Sequence, residues 1–129
     1  MQNNKKRQIL VFTILTAALL LSACAPAQPG SVGSVAVGSK DFTEQFIVAE
    51  MYAQILENAG FTVERKLNLG GTPIAHQSIV NGKIDLYPEY TSTGLLTVLK
   101  LSPMQDAQEI YTTVKQGYEE QYNLTWLTP

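Results

Sequence analysis

Two short stretches carry side chains whose types and spacing can do chemistry. The first is Val37-Gly38-Ser39-Lys40-Asp41-Phe42-Thr43-Glu44-Gln45, the second Asp85-Leu86-Tyr87-Pro88-Glu89-Tyr90-Thr91-Ser92-Thr93; each leaves a short apolar run for a polar turn and then a helical pattern. If the two runs are neighbouring parallel strands, both turns reach the same edge of a sheet, where helix N-termini aim backbone N–H groups into a crevice. Lys40 stands at such a strand end, where its ammonium either faces the crevice and makes charge-assisted contacts or stays in solvent. Tyr90 follows a strand and a proline, so its ring need not lie in the sheet core. Thr93 has a hydroxyl that can donate to a carboxylate, and Gln45, in the first turn of a helix, carries an amide that faces the crevice or the open surface. Glu89 has the charge to meet a cation, or is a solvated turn residue, and Tyr87 reads as strand-end core.

These groups can hold a charged small molecule, and nothing beside them can transform one. There is no G-x-S-x-G, P-loop, H-E-x-x-H or paired acidic motif, so the chain is read as a non-enzyme. His76 is the only histidine and has no Cys, Asp or Glu three or four residues on, so it is assigned to the surface rather than to a metal. No cofactor is implied.

The elements that must position these residues follow from periodicity. Residues 35–37 form a short apolar strand, and Asp41 with Glu44 has the spacing of a capping box. The helix behind it carries Ile47, Met51, Ile55 and Ala59 on one row and Val48, Tyr52 and Leu56 on the next, ending where Gly60 suits the left-handed C′ position. From Phe61 the alternation has period two, with Phe61, Val63, Leu67 and Leu69 on one face and Arg65 breaking the polar–apolar order. Gly70-Gly71 turns the chain, Thr72 is the expected N-cap with Pro73 at N1, and the helix stops at Gly82. A third strand is expected over residues 84–86, halted by Pro88. A helix follows over residues 91–99 with Leu95, Leu96, Val98 and Leu99 inward. Ser102-Pro103-Met104-Gln105 reads as a second capping box, opening a helix with Ile110, Val114 and Tyr118 on one face. A last strand is expected over residues 124–127. Tyr111, Tyr118 and Tyr122, at helical spacing, are assigned to packing. Strand–helix alternation of this kind predicts an α/β lobe: a mainly parallel sheet with helices on both faces.

The 129 residues are too few for more than one small domain, and the first of them do not belong to it. Lys5, Lys6 and Arg7 precede an apolar run over residues 9–21, which is shorter than the roughly 20 residues that span a bilayer as a helix. Residues 1–23 are therefore expected to be an export signal. Leu21-Ser22-Ala23-Cys24 resembles the bacterial lipobox, with the sole cysteine as the lipidation site. Diacylated Cys24 would anchor the protein to the extracytoplasmic face of the cell membrane, through a Pro-, Gly- and Ser-rich tether over residues 24–34. A net charge of −2 offers no basic patch, so nucleic acid is not an expected partner.

GSKDFTEQ (residues 38–45) and DLYPEYTSTG (residues 85–94) together resemble the substrate-binding lipoproteins of ABC importers for the osmoprotectants glycine betaine, carnitine and choline. The resemblance extends over residues 35–129. It implies the first lobe of a two-lobed periplasmic-binding-protein fold of type II, truncated before the second lobe. It also implies Lys40 as partner of a ligand carboxylate, Tyr90 as one wall of an aromatic cage, and Thr93 and Gln45 as further ligand contacts. Ser92 stands where such proteins often have glycine. A trimethylammonium group has no N–H to donate, so ring faces select it, each worth roughly 0.5 to 2 kcal/mol, and a useful site needs several. The implied partners are a quaternary-ammonium solute and the permease and ATPase subunits of the importer. Two other readings stay open at this point: a truncated product that binds nothing, and an α/β lobe used in a surface enzyme or regulator.

Overall fold

A computed structural model describes residue 30 and residues 32–128; the expected signal segment and Cys24 lie outside the described residues. The chain orders into strand β1 (Ser34–Gly38), helix α1 (Thr43–Asn58), strand β2 (Thr62–Lys66) and helix α2 (Thr72–Val80). A single turn, α3 (Thr91–Thr93), then widens to π-helical geometry over Gly94–Val98, and helix α4 (Ala107–Tyr122) closes the order. β1 and β2 pair in parallel, with Val37 opposite Arg65. The alternation read from the sequence thus gives an α/β lobe with parallel strands.

The sheet is smaller than expected. In place of a third strand over residues 84–86 there is one parallel bridge, Leu86 to Val37. The Ala36 carbonyl accepts the Asp85 N–H at 2.8 Å, but the Ala36 N–H is taken by the Asp85 carboxylate at 2.6 Å rather than by a strand carbonyl. A side chain thus satisfies a donor that would otherwise extend the ladder, and Pro88 prevents extension on the other side. Ser34 already belongs to β1, and the Val32 N–H donates to Gly60 at 2.9 Å, so the fold begins slightly ahead of residue 35.

The buried face of α1 is neither of the two apolar rows read from the sequence. Gln45, Ala49 and Ala53 are buried, whereas Ile47, Met51 and Ile55 are more than half exposed. Small side chains let the helix approach the sheet closely, and Ala49 and Ala53 pack with Val37, flanked by Val35, Leu56, Val63, Leu67 and Leu86. Arg65, the residue that breaks the alternation of β2, fixes α1 from outside. Its guanidinium donates to Glu50 at 2.7 and 3.0 Å and to Glu57 at 2.6 and 2.9 Å, two carboxylates that lie two helical turns apart. It holds the Glu50 carboxyl down at about 2 and lowers Glu57 as well.

Helix ends agree with the sequence where glycine sets them: Gly60 and Gly82 have φ of 93° and 64°. Side-chain caps do not agree. Phe42, not Asp41, is the N-cap of α1 and gives no side-chain bond. Gly71 takes the cap of α2, which moves Thr72 into its first turn. The last helix starts at Ala107, not after Ser102, because Asp106 accepts the Glu109 N–H at 2.8 Å and forms the Asp-x-x-Glu cap itself. Asn123 ends it in the left-handed region at φ 56°.

A second core joins the π turns to α4 through Leu95, Leu99, Val114 and Tyr118, with Ile110 at its margin. Leu96 is exposed, contrary to its expected inward place. Residues 124–127 form no strand. Instead they lie along α4, where the Trp126 carbonyl accepts from the Tyr111 hydroxyl at 3.3 Å and the Trp126 ring meets Tyr118 edge-on at 5.3 Å. His76 is not a plain surface residue either. It packs edge-on against Tyr118 and Tyr122, at 5.3 and 4.6 Å between ring centroids, and burial lowers its pKa.

Candidate functional site

The site forms where β1 and the 84–86 segment end. Three backbone-level bonds fix the turn after β1: Ser39 N–H to Lys66 carbonyl (3.4 Å), Leu69 N–H to Ser39 carbonyl (3.0 Å) and Asn68 N–H to Ser39 Oγ (2.9 Å). Gly38 lets Ile84 close over this turn, since a Cβ there would sit 2.6 Å from Ile84 Cδ1. The next residue, Lys40, is 3% exposed and points inward.

Its ammonium is paired with Glu89, a residue 49 positions away. Both side chains are about 5% exposed or less, so this is a buried ion pair and not a surface one. Glu89 is held on three sides. Besides Lys40 it accepts the Tyr90 N–H at 2.9 Å and the Thr72 hydroxyl at 3.1 Å. Thr72 stands in the first turn of α2, one residue past the Gly71 cap.

Lys40 Nζ also lies 4.7 Å from the centroid of the Tyr90 ring and 5.5 Å from that of Phe42, both within reach of a cation–π contact. The two expected turns therefore converge, and they bring Lys40, Glu89, Tyr90 and Phe42 into one group. Tyr90 is 38% exposed, so its ring presents a face to the outside as well. The Glu44 carboxylate raises its phenol pKa, with the Gln45 side chain acting in the opposite direction. Gln45 itself is 1% exposed, and its Oε1 has no hydrogen-bond partner. It faces the interior of the lobe, not open surface. Thr93 lies half-buried one turn beyond Tyr90, and no hydrogen bond joins its hydroxyl to Lys40, Gln45 or Tyr90. Tyr87 is mostly buried with its hydroxyl unpartnered, and burial pushes its pKa upward.

Sequence reasoning missed Phe42 and Thr72 and left Glu89 undecided. The acidic residue beside a proline in the second turn, with a lone lysine in the first, was the available signal for the pair.

The lobe thus gathers a buried ion pair and two aromatic rings at the ends of its parallel strands. Residues 33–129 match the family described as the substrate binding domain of ABC-type glycine betaine transport systems, and the chain belongs to that family. It is 35% identical to the carnitine transport binding protein OpuCC of Listeria monocytogenes, over 95% of this chain and 42% of that protein. It is likewise 35% identical to the glycine betaine-binding protein YehZ of Escherichia coli K12, over 86% of this chain and 36% of that one. The ergothioneine transport permease/ergothioneine binding protein EgtU of Helicobacter pylori is 31% identical over 92% of this chain and 21% of its own length. Among solved structures, apo YehZ superposes with a TM-score of 0.70 at 37% identity, over 74% of this chain and 35% of that one. The chain thus spans about two fifths or less of the length of these relatives.

Proposed function

We propose that this chain supplies one ligand-binding lobe of an extracytoplasmic receptor that captures a quaternary-ammonium solute for an ABC importer. In this reading Tyr90 is one wall of an aromatic cage, Phe42 a second ring beside it, and Lys40, Gln45 and Thr93 are polar contacts. A second lobe closes over the solute, and the closed form is what the permease and its ATPase engage. Cys24 carries the lipid that keeps the receptor on the outer face of the cell membrane. Glycine betaine, carnitine and choline all present the trimethylammonium group that such rings select.

The observation that carries the reading is the position of Lys40 Nζ 4.7 Å from the Tyr90 centroid: a cation already rests on the ring that the cage requires. Carnitine, glycine betaine and ergothioneine, the solutes named for the relatives, share a trimethylammonium group and a carboxylate, which agrees with a cation-selecting ring beside a lysine.

The test is a heteronuclear NMR titration of the chain with glycine betaine, carnitine and choline, repeated on Tyr90→Ala and Tyr90→Phe. Shifts centred on Lys40, Glu89, Tyr90 and Thr93 are expected, weakened by Tyr90→Ala and largely kept by Tyr90→Phe. Shifts elsewhere on the lobe, or equal losses in both variants, would overturn the cage assignment.

A further inference from the structure

The Lys40–Glu89 pair puts an internal cation on the same aromatic faces that an external one would need. We propose that Glu89 is a specificity-determining residue: its pair with Lys40 is an internal stand-in for a zwitterionic solute, and ligand binds by exchange with that pair. The ligand's quaternary ammonium takes the Tyr90 and Phe42 faces beside Glu89, while its carboxylate replaces Glu89 as the partner of Lys40. This inference rests on the solute-binding reading above and narrows its substrate class to solutes that carry both charges.

The two halves of the pair are not equally fixed. Glu89 is anchored by the Thr72 hydroxyl and the Tyr90 N–H as well as by Lys40. Lys40 Nζ has Glu89 as its only hydrogen-bond partner among the described residues, and it sits at the end of a flexible four-carbon stem. The carboxylate therefore stays and the ammonium is the part that can move.

Counting charges then separates ligand classes. A zwitterion adds one positive and one negative group to a site that already holds one of each, and four charges can form two pairs. A simple cation such as choline adds a second positive charge, and Glu89 cannot serve both. Either Lys40 or the ligand is left without a counter-charge in a region where both side chains are about 5% exposed or less. An uncompensated buried charge is strongly unfavourable. Ring attraction alone treats choline and betaine alike, since their head groups are the same, so the discrimination comes from the Lys40–Glu89 pair.

The experiment compares glycine betaine with choline by NMR titration on the chain, on Lys40→Met and on Lys40→Met/Glu89→Gln. The parent should bind choline at least about tenfold more weakly, the least an unpaired buried charge should cost. Lys40→Met leaves Glu89 free to take a cation, so the order should invert. The double variant has neither charge, and its two affinities should fall within about twofold of each other because only ring contacts remain. If Lys40→Met does not fold, the collapse of the ratio between parent and double variant decides. A ratio that stays constant across the variants, with binding still sensitive to Tyr90→Ala, would overturn the exchange and leave the cage standing. Absence of binding by both ligands to every variant would overturn both. A measurement without ligand checks the positioning: the Lys40 side-chain protons should be shifted upfield by the Tyr90 and Phe42 rings and lose that shift in Glu89→Gln. Retention of the shift would show that Glu89 does not hold Lys40 there.

Discussion

If the Lys40–Glu89 pair is buried as the structure has it, breaking it from one side should cost far more stability than removing it whole. The side chains are 4% and 5% exposed, so no solvent screening reduces their coupling to the small values of surface pairs. Lys40→Met leaves the Glu89 carboxylate with the Thr72 hydroxyl and the Tyr90 N–H but with no counter-charge, which should cost about 3 to 5 kcal/mol. Glu89→Gln keeps an acceptor for one of those donors but strands the Lys40 ammonium against two rings, and a loss of about 3 kcal/mol is expected. The double variant replaces both charges with neutral side chains of similar volume. Because desolvation of the pair offsets most of its attraction, the double variant should lie within about 1 to 2 kcal/mol of the parent. Urea unfolding followed by circular dichroism would give the four free energies, and their cycle should yield a coupling of about 3 kcal/mol or more. Additive losses, to within about 0.5 kcal/mol, would mean that the two charges are solvated and independent. The site could not then hold an internal zwitterion.

Two other outcomes follow from particular contacts and a third from the sequence around Cys24. Gly94→Ala should destabilise the lobe although alanine favours helix: its Cβ would sit 2.8 Å from Trp126 Cζ2 and 3.0 Å from Val114 Cγ1, and the overpacking, about 1 to 3 kcal/mol, outweighs a propensity gain of about 1 kcal/mol. A higher urea midpoint would refute this. Glu50 and Glu57 have carboxyl pKa values lowered by Arg65, so they contribute stability that is present above pH 4.5 and is lost as pH falls through the lowered values, about 2 for Glu50. Arg65→Met should therefore be less stable at neutral pH with a shallower acid limb, and parallel pH curves for variant and parent would sink the assignment. Cys24→Ser should abolish acylation and release the protein from membranes or leave it unprocessed, as fractionation and mass spectrometry would read; unchanged membrane retention would remove the anchor.

How much of this was legible in the sequence depends on what kind of interaction decides each feature. Strand β1 and the two glycine stops are set by local chemistry and could be read directly, and the convergence of the two turns followed once the two runs were taken as parallel neighbours. The buried face of α1 could not, since the row with the largest side chains, Ile47, Met51 and Ile55, lost to the row with the smallest. Contact with a parallel sheet favours whichever face lets the helix come close, and Ala49 and Ala53 do that. Periodicity reports that a helix has apolar rows without saying which one a neighbour will accept. The third strand failed for a reason equally invisible in composition: the Asp85 carboxylate took the Ala36 N–H that would have extended the ladder.

The candidate site shows the same limit in its chemistry. Lys40 and Tyr90 could be singled out one at a time, each with a defined capacity, but the state of Lys40 depends on Glu89, 49 residues away. The orientation of Glu89 depends in turn on Thr72, whose hydroxyl donates to it from the first turn of α2, one residue past the Gly71 cap. Had Thr72 capped α2, a backbone N–H of that helix would orient its side chain, whereas here the Glu89 carboxylate does. A displacement of one residue at a helix start thus bears on whether the lysine is free to meet a ligand or already committed to an internal partner. The sequence could show the residues of that choice, and only the packed lobe shows which way it is made.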